Sequence, residues 1–264
     1  MMEPNNLLKE QLHLLHLDII NQSFAAKAVE YRKKGLDYVE YLADLVNEQV
    51  RHRQNRSLNQ RIGAAHFPWI KVVEDFDFAY NKQPSRSTWL DLGQLQFLQK
   101  KENVVLIGPP GVGKTHLAIS LGVKACEALH RVLFITAADL VTQLNTTKRA
   151  NLLPDLLSKL SRLDLLIIDE LGYLPIDAEE ANLFFQVISR KYEKSSLILT
   201  TNKPFDEWGE IFKDPVLAAA LLDRLLHHAH IIKITGKSYR MKGKEPAKPS
   251  IPQPDSPVSN SNPG

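Results

Sequence analysis

The sequence is short of several features that would restrict it to particular classes of protein. Cys126 is the only cysteine among the 264 residues, so the chain cannot form an internal disulfide. No apolar run approaches the roughly 18 residues that a membrane-spanning helix needs. The first residues, MMEPNN, lack the basic stretch and apolar core of a secretory signal. These absences predict a cytoplasmic protein without a membrane segment.

The chain also lacks a strong excess of either charge, since its formal net charge is +3. The charges are nevertheless uneven: residues 102–232 carry 13 Lys/Arg and 16 Asp/Glu, whereas residues 233–264 carry 6 and 2. A mildly acidic middle between basic flanks suits a catalytic core with polyanion contacts at its edges. An ordinary solvated surface explains the same pattern equally well.

Residues 1–66 have the apolar spacing of helices. Leucines recur at three- and four-residue steps in LLKEQLHLLHL, and the spacing continues to Gly35, a plausible helix end. Asp37 could cap the next helix, which runs into the basic stretch RHRQNRSLNQR before His66. We therefore predict a small all-helical N-terminal domain over residues 1–66, a candidate surface for DNA or a protein partner.

From residue 103 the pattern changes to short apolar runs alternating with helical segments. The runs are NVVLIG, RVLFIT, LDLLIID, SSLILTTN and HIIKIT, and their apolar character on both faces is typical of buried parallel strands. Alternating strands and helices predict a three-layer α/β domain with a five-stranded parallel sheet over residues 67–240. Residues 241–264 contain six prolines and are predicted to be a disordered tail.

A glycine-rich loop follows the first of these runs. Residues 108–115, GPPGVGKT, match G-x-x-x-x-G-K-[ST] at every fixed position. Glycines let backbone N–H groups turn inward around phosphate oxygens, and the helix that follows adds its positive end. Lys114 should reach the β- and γ-phosphates, and the Thr115 hydroxyl should ligate Mg²⁺. The predicted nucleotide-binding residues are Gly108, Pro109, Pro110, Gly111, Val112, Gly113, Lys114, Thr115 and His116.

The run LDLLIIDE ends in two carboxylates, Asp169 and Glu170. Asp169 is placed to hold Mg²⁺, and Glu170 to polarise the water that attacks the γ-phosphate. This pair therefore favours hydrolysis over phosphate transfer to a metabolite. A polar residue after the next strand, Asn202, could orient the attacking water, although an asparagine in a strand-to-helix turn is a common alternative.

Four longer phrases resemble the IstB-type transposition helper ATPases, which belong to the AAA+ group and are close relatives of the DnaC helicase loaders. The phrases are GPPGVGKTHLA, LLIIDELGYLP, LTTNKPFDEW and AAALLDRLLHHAHIIKITGKSYR. The resemblance runs from about residue 5 to residue 242, and DELGYLP is far more specific than the phosphate loop. It implies a P-loop AAA+ ATPase domain that uses ATP and Mg²⁺.

The resemblance also implies roles that spacing alone does not give. Asn202 falls at the sensor 1 position, and Arg224 matches the arginine finger that reaches a neighbouring subunit's nucleotide, although an ion pair with Asp223 is an alternative. An extra helix after the second strand would turn Lys148 and Arg149 toward DNA, or these two residues lie on a solvated loop. Ser238-Tyr239-Arg240 matches a C-terminal signature.

Two further groups of residues are candidate sites. Four arginines in the N-terminal domain form a second candidate DNA or partner surface: Arg51, Arg53, Arg56 and Arg61. The histidines His227, His228 and His230 could suggest a metal, but no cysteine or carboxylate stands at ligand spacing beside them. The sequence therefore predicts Mg²⁺ and no zinc.

The leading hypothesis is an ATP-dependent DNA-binding helper of an insertion-sequence transposase. It would form a homo-oligomer on duplex DNA with ATP, select the target, engage the transposase and be reset by hydrolysis. The main alternative is a DnaC-like replicative helicase loader. A small-molecule kinase and a nucleotide-gated scaffold without turnover are further alternatives from other classes.

Overall fold

A computed structural model describes residues 4–80, 84–173, 175–236 and 238–239 of the chain. Arg240 and the predicted Pro-rich tail, 241–264, lie outside the described residues. The strands are β1 (Asn103–Ile107), β2 (Val132–Thr136), β3 (Leu165–Leu171), β4 (Ser196–Thr201) and β5 (Ala229–Lys233). The helices are α1 (Pro4–Leu14), α2 (Asp18–Lys34), α3 (Tyr38–Ala64), α4 (Arg86–Gly93), α5 (Gln96–Lys100), α6 (Lys114–Glu127), α7 (Ala137–Arg149), α8 (Leu153–Ser161), α9 (Ala178–Lys191), α10 (Trp208–Phe212) and α11 (Pro215–Leu226).

The five strands form one parallel sheet in the order β2-β3-β4-β1-β5. This order confirms the prediction of a parallel five-stranded sheet with helices between its strands. It also places β4 between β1 and β3, so the carboxyl ends of the three strands meet at one edge. Ligands of open parallel sheets bind at this edge.

Helices cover both faces of the sheet, as in a three-layer α/β domain. One buried apolar cluster, which includes Leu140, Phe184 and Leu221, lies between one face and the helices α7, α8, α9, α10 and α11. A second cluster, which includes Trp89 and Leu121, lies between the other face and α4, α5 and α6. Cys126 belongs to the second cluster, and burial raises the pKa of its thiol to about 11.

The predicted N-terminal helical domain consists of α1, α2 and α3, which share a small core of their own built on Leu12, Ile20, Phe24 and Leu45. The 27-residue helix α3 continues from this core to the α/β domain. Its last turns pack there through Leu58 and Ile62. The division at residue 66 therefore stays a prediction, because α3 contributes to both cores.

Two local features of the fold were not predicted correctly. The predicted helix end at Gly35 is confirmed, since α2 ends there with Gly35 at φ 65°, but the unbroken apolar spacing did not indicate the turn between α1 and α2, where His16 has φ 54°. The turn lets α1 fold back on α2, a tertiary contact that periodicity does not encode. The run that became β5 was expected to be buried on both faces, yet Ile231 is half exposed because β5 is an edge strand. Within the described ranges, no helix combines the length and apolar character needed to cross a bilayer.

Candidate nucleotide site

A cavity of about 340 Å³ opens at the edge where β1, β3 and β4 end. It contains residues from the phosphate loop, the end of β3, the end of β4 and the irregular segment before α4. The lining residues are Trp69, Lys71, Asp75, Phe76, Asp77, Gly111, Val112, Gly113, Lys114, Thr115, His116, Glu170, Tyr173, Thr200 and Tyr239.

The phosphate loop needs glycine at two positions, Gly111 and Gly113. Gly111 has φ 79° and Gly113 has φ 99°, conformations that residues with a Cβ rarely adopt. A Cβ on Gly113 would also lie 2.5 Å from the Phe76 ring. Helix α6 begins at Lys114 immediately after this turn, so its positive end points into the cavity. The loop thus offers backbone donors to an anion.

Lys114 is 7% exposed and sits against its own loop. Its Nζ donates hydrogen bonds to the carbonyl oxygens of Gly108, at 2.7 Å, and Pro109, at 2.9 Å. Gly108, Pro109 and Pro110 do not line the cavity; the first two instead hold the lysine through these carbonyls. Anionic phosphate oxygens would replace these neutral carbonyls as acceptors, and the attraction between opposite charges would add to each bond.

Asp169 is buried at the end of β3 and accepts hydrogen bonds from two hydroxyls. Thr115 Oγ1 lies 3.0 Å from both carboxylate oxygens, and Thr200 Oγ1 lies 2.5 Å from Oδ1. Burial raises the pKa of Asp169, against the opposing hydrogen bonds from Thr200 and Thr115 and the nearby Lys114 charge. A buried carboxylate beside a hydroxyl is an oxygen donor set that fits Mg²⁺. The structure therefore brings together the two residues predicted to hold that ion.

Glu170 is set apart from Asp169 by an irregularity in the strand pairing. Ile168 pairs with Leu199 and Leu171 with Thr201, so two residues of β3 oppose only Thr200. Glu170 has φ 61°, and its N–H donates to Thr200 Oγ1 at 2.9 Å. A bulge re-aims side chains, and here it leaves Asp169 buried while Glu170 is exposed at the cavity. Water activation by Glu170 fits this position.

We expect Asp169→Asn to raise the melting temperature of the ligand-free protein at pH 7. Because the folded pKa of Asp169 is raised, the folded chain holds more protons than the unfolded chain between the two pKa values. Stability then falls as pH rises through that window. The gain should disappear below about pH 4, where wild-type Asp169 is also protonated. Melts at pH 7 and below pH 4 measure it.

Asp164→Asn is the control, for which we expect the opposite change in melting temperature. A hydrogen bond from Arg131 lowers the pKa of Asp164 to about 2, and the two side chains lie 2.9 Å apart. This carboxylate stabilises the fold above its unfolded pKa, so the substitution should lower the melting temperature at pH 7. A lower melting temperature for Asp169→Asn as well would contradict the destabilising role of the buried carboxylate.

Sequence reasoning assigned Asn202 to this site and missed Thr200. Thr200 bridges Asp169 and Glu170 through its hydroxyl and lines the cavity. Asn202 follows β4 and does not line the cavity, but its Oδ1 is buried and has no hydrogen-bond partner among the described residues. The role of Asn202 in orienting water stays a prediction. The adjacent threonines in LTTN were the available signal for Thr200.

Aromatic side chains also line the cavity, and their presence there was not predicted apart from His116. Trp69 and Tyr239 line it and are each about half exposed, at 49% and 48%. His116 lies in the same wall, where its Nε2 is 3.0 Å from the Val72 carbonyl oxygen and its ring meets Phe76 edge-on. Aromatic faces stack well on nucleobases. The segment FPWIKVVEDFDF has no regular pattern, so only its aromatic content signalled a binding role.

Arg224 does not reach this cavity. Helix α11 runs back from the end of β4 to the start of β5, and Arg224 stands in its last turn, near the opposite edge of the sheet. The guanidinium lies 4.3 Å from the Phe185 ring centroid and donates to Ser189 Oγ, both on α9. These contacts replace the ion pair with Asp223 considered above. Action on another subunit's nucleotide stays a prediction.

The predicted DNA-binding residues have varied surroundings. Lys148 and Arg149 end α7, and α8 is the expected extra helix, but Lys148 Nζ already pairs with Glu179 at 2.5 Å. In α3, Arg53 donates to the His16 carbonyl oxygen at 2.9 Å, in the turn between α1 and α2. Of the remaining arginines in this group, Arg51 and Arg56 are exposed and Arg61 is half-buried. No described contact tests DNA binding.

Comparison with known proteins places these features in a family context. Residues 10–247 match the family model described as IstB-like ATP binding protein. The chain is 46% identical over 246 residues to a Pseudomonas aeruginosa protein named for ATP binding in insertion sequence IS21, covering 93% of this chain and 92% of that protein. It is 41% identical over 237 residues to a Geobacillus stearothermophilus protein named for ATP binding in insertion sequence IS5376. That match covers 90% of this chain and 94% of the other protein.

Solved structures share the fold. DnaI superposes with a TM-score of 0.52 at 20% identity, covering 64% of this chain and 89% of DnaI. The replication initiator DnaA, solved with AMPPCP and single-stranded DNA, superposes with a TM-score of 0.53 at 18% identity. The match covers 65% of this chain and 52% of the DnaA chain. At these identities the likeness shows the fold alone, which is that of AAA+ P-loop proteins.

Proposed function

The chain belongs to the family of IstB-like ATP binding proteins, and on that premise we propose that it is an ATP-dependent, DNA-binding helper of an insertion-sequence transposase. In this proposal it hydrolyses ATP with Mg²⁺, assembles as a homo-oligomer on duplex DNA in the cytoplasm, selects the target and engages the transposase. Hydrolysis then resets the assembly.

One observation carries the hydrolytic part of the proposal. The bulge in β3 presents Glu170 at the cavity while Asp169 remains buried beside Thr115. Two adjacent carboxylates thus have separate tasks, one at the metal and one at the water. Mg²⁺ bound there would neutralise charge on the phosphate oxygens. Lys114 and the loop N–H groups would hold the triphosphate while Glu170 polarises the water.

The position of Arg224 supports an oligomer. An arginine near the opposite edge of the sheet cannot act on its own subunit's nucleotide, but it can serve the cavity of a neighbouring copy. Such head-to-tail contacts generate rings or helical filaments. ATP between subunits would then favour assembly, and assembly would bring Lys148 and Arg149 of successive copies along one DNA path. Contacts of this kind go to phosphates and weaken with salt.

The helical N-terminal unit supports engagement of a protein partner. Eleven of the 20 exposed large apolar side chains among the described residues lie within the first 50 residues. Four of them follow one another along α3 at helical spacing: Val39, Leu42, Val46 and Val50. Contiguous apolar surface of this kind marks interaction sites. The insertion-sequence relatives favour a transposase as partner, whereas the helicase-loader alternative has only a shared fold in its favour.

The test is a gel shift of duplex DNA with and without ATP, using wild type and Glu170→Gln. We expect binding only with ATP, and a longer-lived complex for Glu170→Gln because its hydrolysis should fall about 10²- to 10⁴-fold. Adding the transposase of the same insertion sequence should retard the complex further. Adding a replicative helicase should not.

Glu127→Gln, an exposed position at the end of α6, is the matched control and should behave as wild type. Equal and negligible DNA binding in both conditions would overturn the proposal. A further shift with the helicase rather than the transposase would favour the loader alternative.

A further inference from the structure

A second cluster of ligand-type side chains lies at the edge of the sheet opposite the nucleotide cavity. Glu193 stands in the turn between α9 and β4, and His227 and His228 stand in the turn between α11 and β5. Both turns precede strands that flank β1 in the sheet. The cluster is therefore separated from the phosphate loop by roughly the length of a five-residue strand, about 17 Å.

One carboxylate oxygen and one nitrogen from each imidazole lie within 4.8 Å of one another. A tetrahedral ion with bonds near 2.0–2.2 Å needs donors about 3.3 Å apart. All three side chains are exposed, so small rotations can close this gap without moving the backbone. The carboxylate that was absent from the neighbourhood of these histidines in the sequence is thus supplied by Glu193, 34 positions before His227.

The backbone under the two histidines is held firmly. Buried Asn103 donates its N–H to the His228 carbonyl oxygen at 2.7 Å and its side-chain amide to the Leu225 carbonyl oxygen at 3.0 Å. The Asn103 Oδ1 accepts from Leu197 N–H in β4 at 3.0 Å. One side chain therefore ties the end of α11 to the sheet, and preorganised backbone of this kind favours ligand binding.

Two further features favour metal ligation over an ordinary polar turn. Tyr192 Oη lies 3.0 Å from His227 Nδ1, and a hydrogen bond at one ring nitrogen fixes the tautomer and orients the other nitrogen for a metal. Glu193 has φ 56°, a left-handed conformation that is unfavourable for a side chain with a Cβ. This backbone conformation sets the direction in which the Glu193 side chain leaves the turn.

We propose that Glu193, His227 and His228 bind a divalent transition-metal ion of the zinc class. Two imidazoles and one carboxylate are a donor set that zinc uses in proteins, with a fourth position left for water. The same set discriminates against Mg²⁺ and Ca²⁺, which prefer oxygen ligands. A bound ion would fasten the last turn of α11, which carries Arg224, to the end of α9.

The experiment is Co²⁺ titration of the tag-free full chain without nucleotide, followed by visible absorption and competition with Zn²⁺. We expect one Co²⁺ per chain with the intense bands of tetrahedral coordination, displaced by Zn²⁺. His228→Ala and Glu193→Gln should each weaken binding at least about tenfold, in the range seen when metal-site residues are removed. Both positions are exposed, so circular dichroism should show an unchanged fold.

His230→Ala is the matched control. His230 lies two residues beyond His228, and its Nε2 pairs only with Glu102, at 2.8 Å, in the contacts described. Its removal should leave Co²⁺ affinity unchanged. Absence of tetrahedral bands in the wild type, or equal Co²⁺ affinity in wild type, His228→Ala and Glu193→Gln, would overturn the proposal. Neither result would bear on ATP or DNA binding, because the nucleotide cavity is at the opposite edge.

Discussion

Lys114→Ala is expected to weaken ATP binding at least about 100-fold, equivalent to about 2.7 kcal/mol. The reason is that Lys114 supplies a positive charge directly beside the backbone donors of the phosphate loop, and its own side chain is buried. Its Nζ already makes two hydrogen bonds to loop carbonyls, so it is held where a triphosphate would lie. Isothermal titration with ATP, or fluorescence of a labelled ATP analogue, measures the loss.

The substitution should not unfold the protein. Lys114 is a buried cation whose Nζ donates to the neutral carbonyl oxygens of Gly108 and Pro109, and removing a buried charge relieves desolvation. A melting temperature near that of wild type would therefore separate lost binding from lost structure. Lys159→Ala, an exposed lysine in the last turn of α8, should leave ATP affinity unchanged. Wild-type affinity in Lys114→Ala would remove the basis of the nucleotide site.

The sheet was predictable because local patterns determine it. Every apolar run chosen from the sequence became a strand, and helices lie between successive strands as predicted. Burial on both faces, together with helices between successive strands, leaves few alternatives to a parallel sheet. The turn between α1 and α2 was not predictable. It depends on how α1 packs against α2, and the apolar spacing within a single helix does not encode that packing.

The candidate site likewise has residues that the sequence predicted and residues that it missed. The phosphate loop and Asp169 come from short motifs whose spacing fixes their chemistry, so the structure brings Thr115 and Asp169 together as predicted. Thr200 was missed because its role arises from a bulge, and a bulge is a mismatch between two strands rather than a pattern in one. Glu193 was missed because turns distant in sequence meet only when the strand order is known.

Arg224→Ala is expected to reduce ATP turnover by about 10³- to 10⁵-fold while ATP affinity stays near wild type, the range seen when an arginine finger is absent. The guanidinium rests on Phe185 and donates to Ser189 at the far edge of the sheet, so it contributes nothing to its own nucleotide cavity. Phosphate release and ATP titration measure the two quantities. Arg190→Ala, an exposed arginine beside Ser189 on α9, should retain wild-type turnover.

Mixing two inactive variants tests whether the arginine acts between subunits. Arg224→Ala keeps an intact cavity, and Glu170→Gln keeps an intact arginine, so a mixed interface can unite one of each. Random 1:1 mixing should restore up to about a quarter of wild-type turnover, since a head-to-tail interface must have the cavity and the arginine from the right partners. Mixing Lys114→Ala with Glu170→Gln should restore nothing, because both changes damage the same cavity. If Arg224→Ala is inactive and no mixing ratio rescues it, the arginine does not serve a neighbour's site.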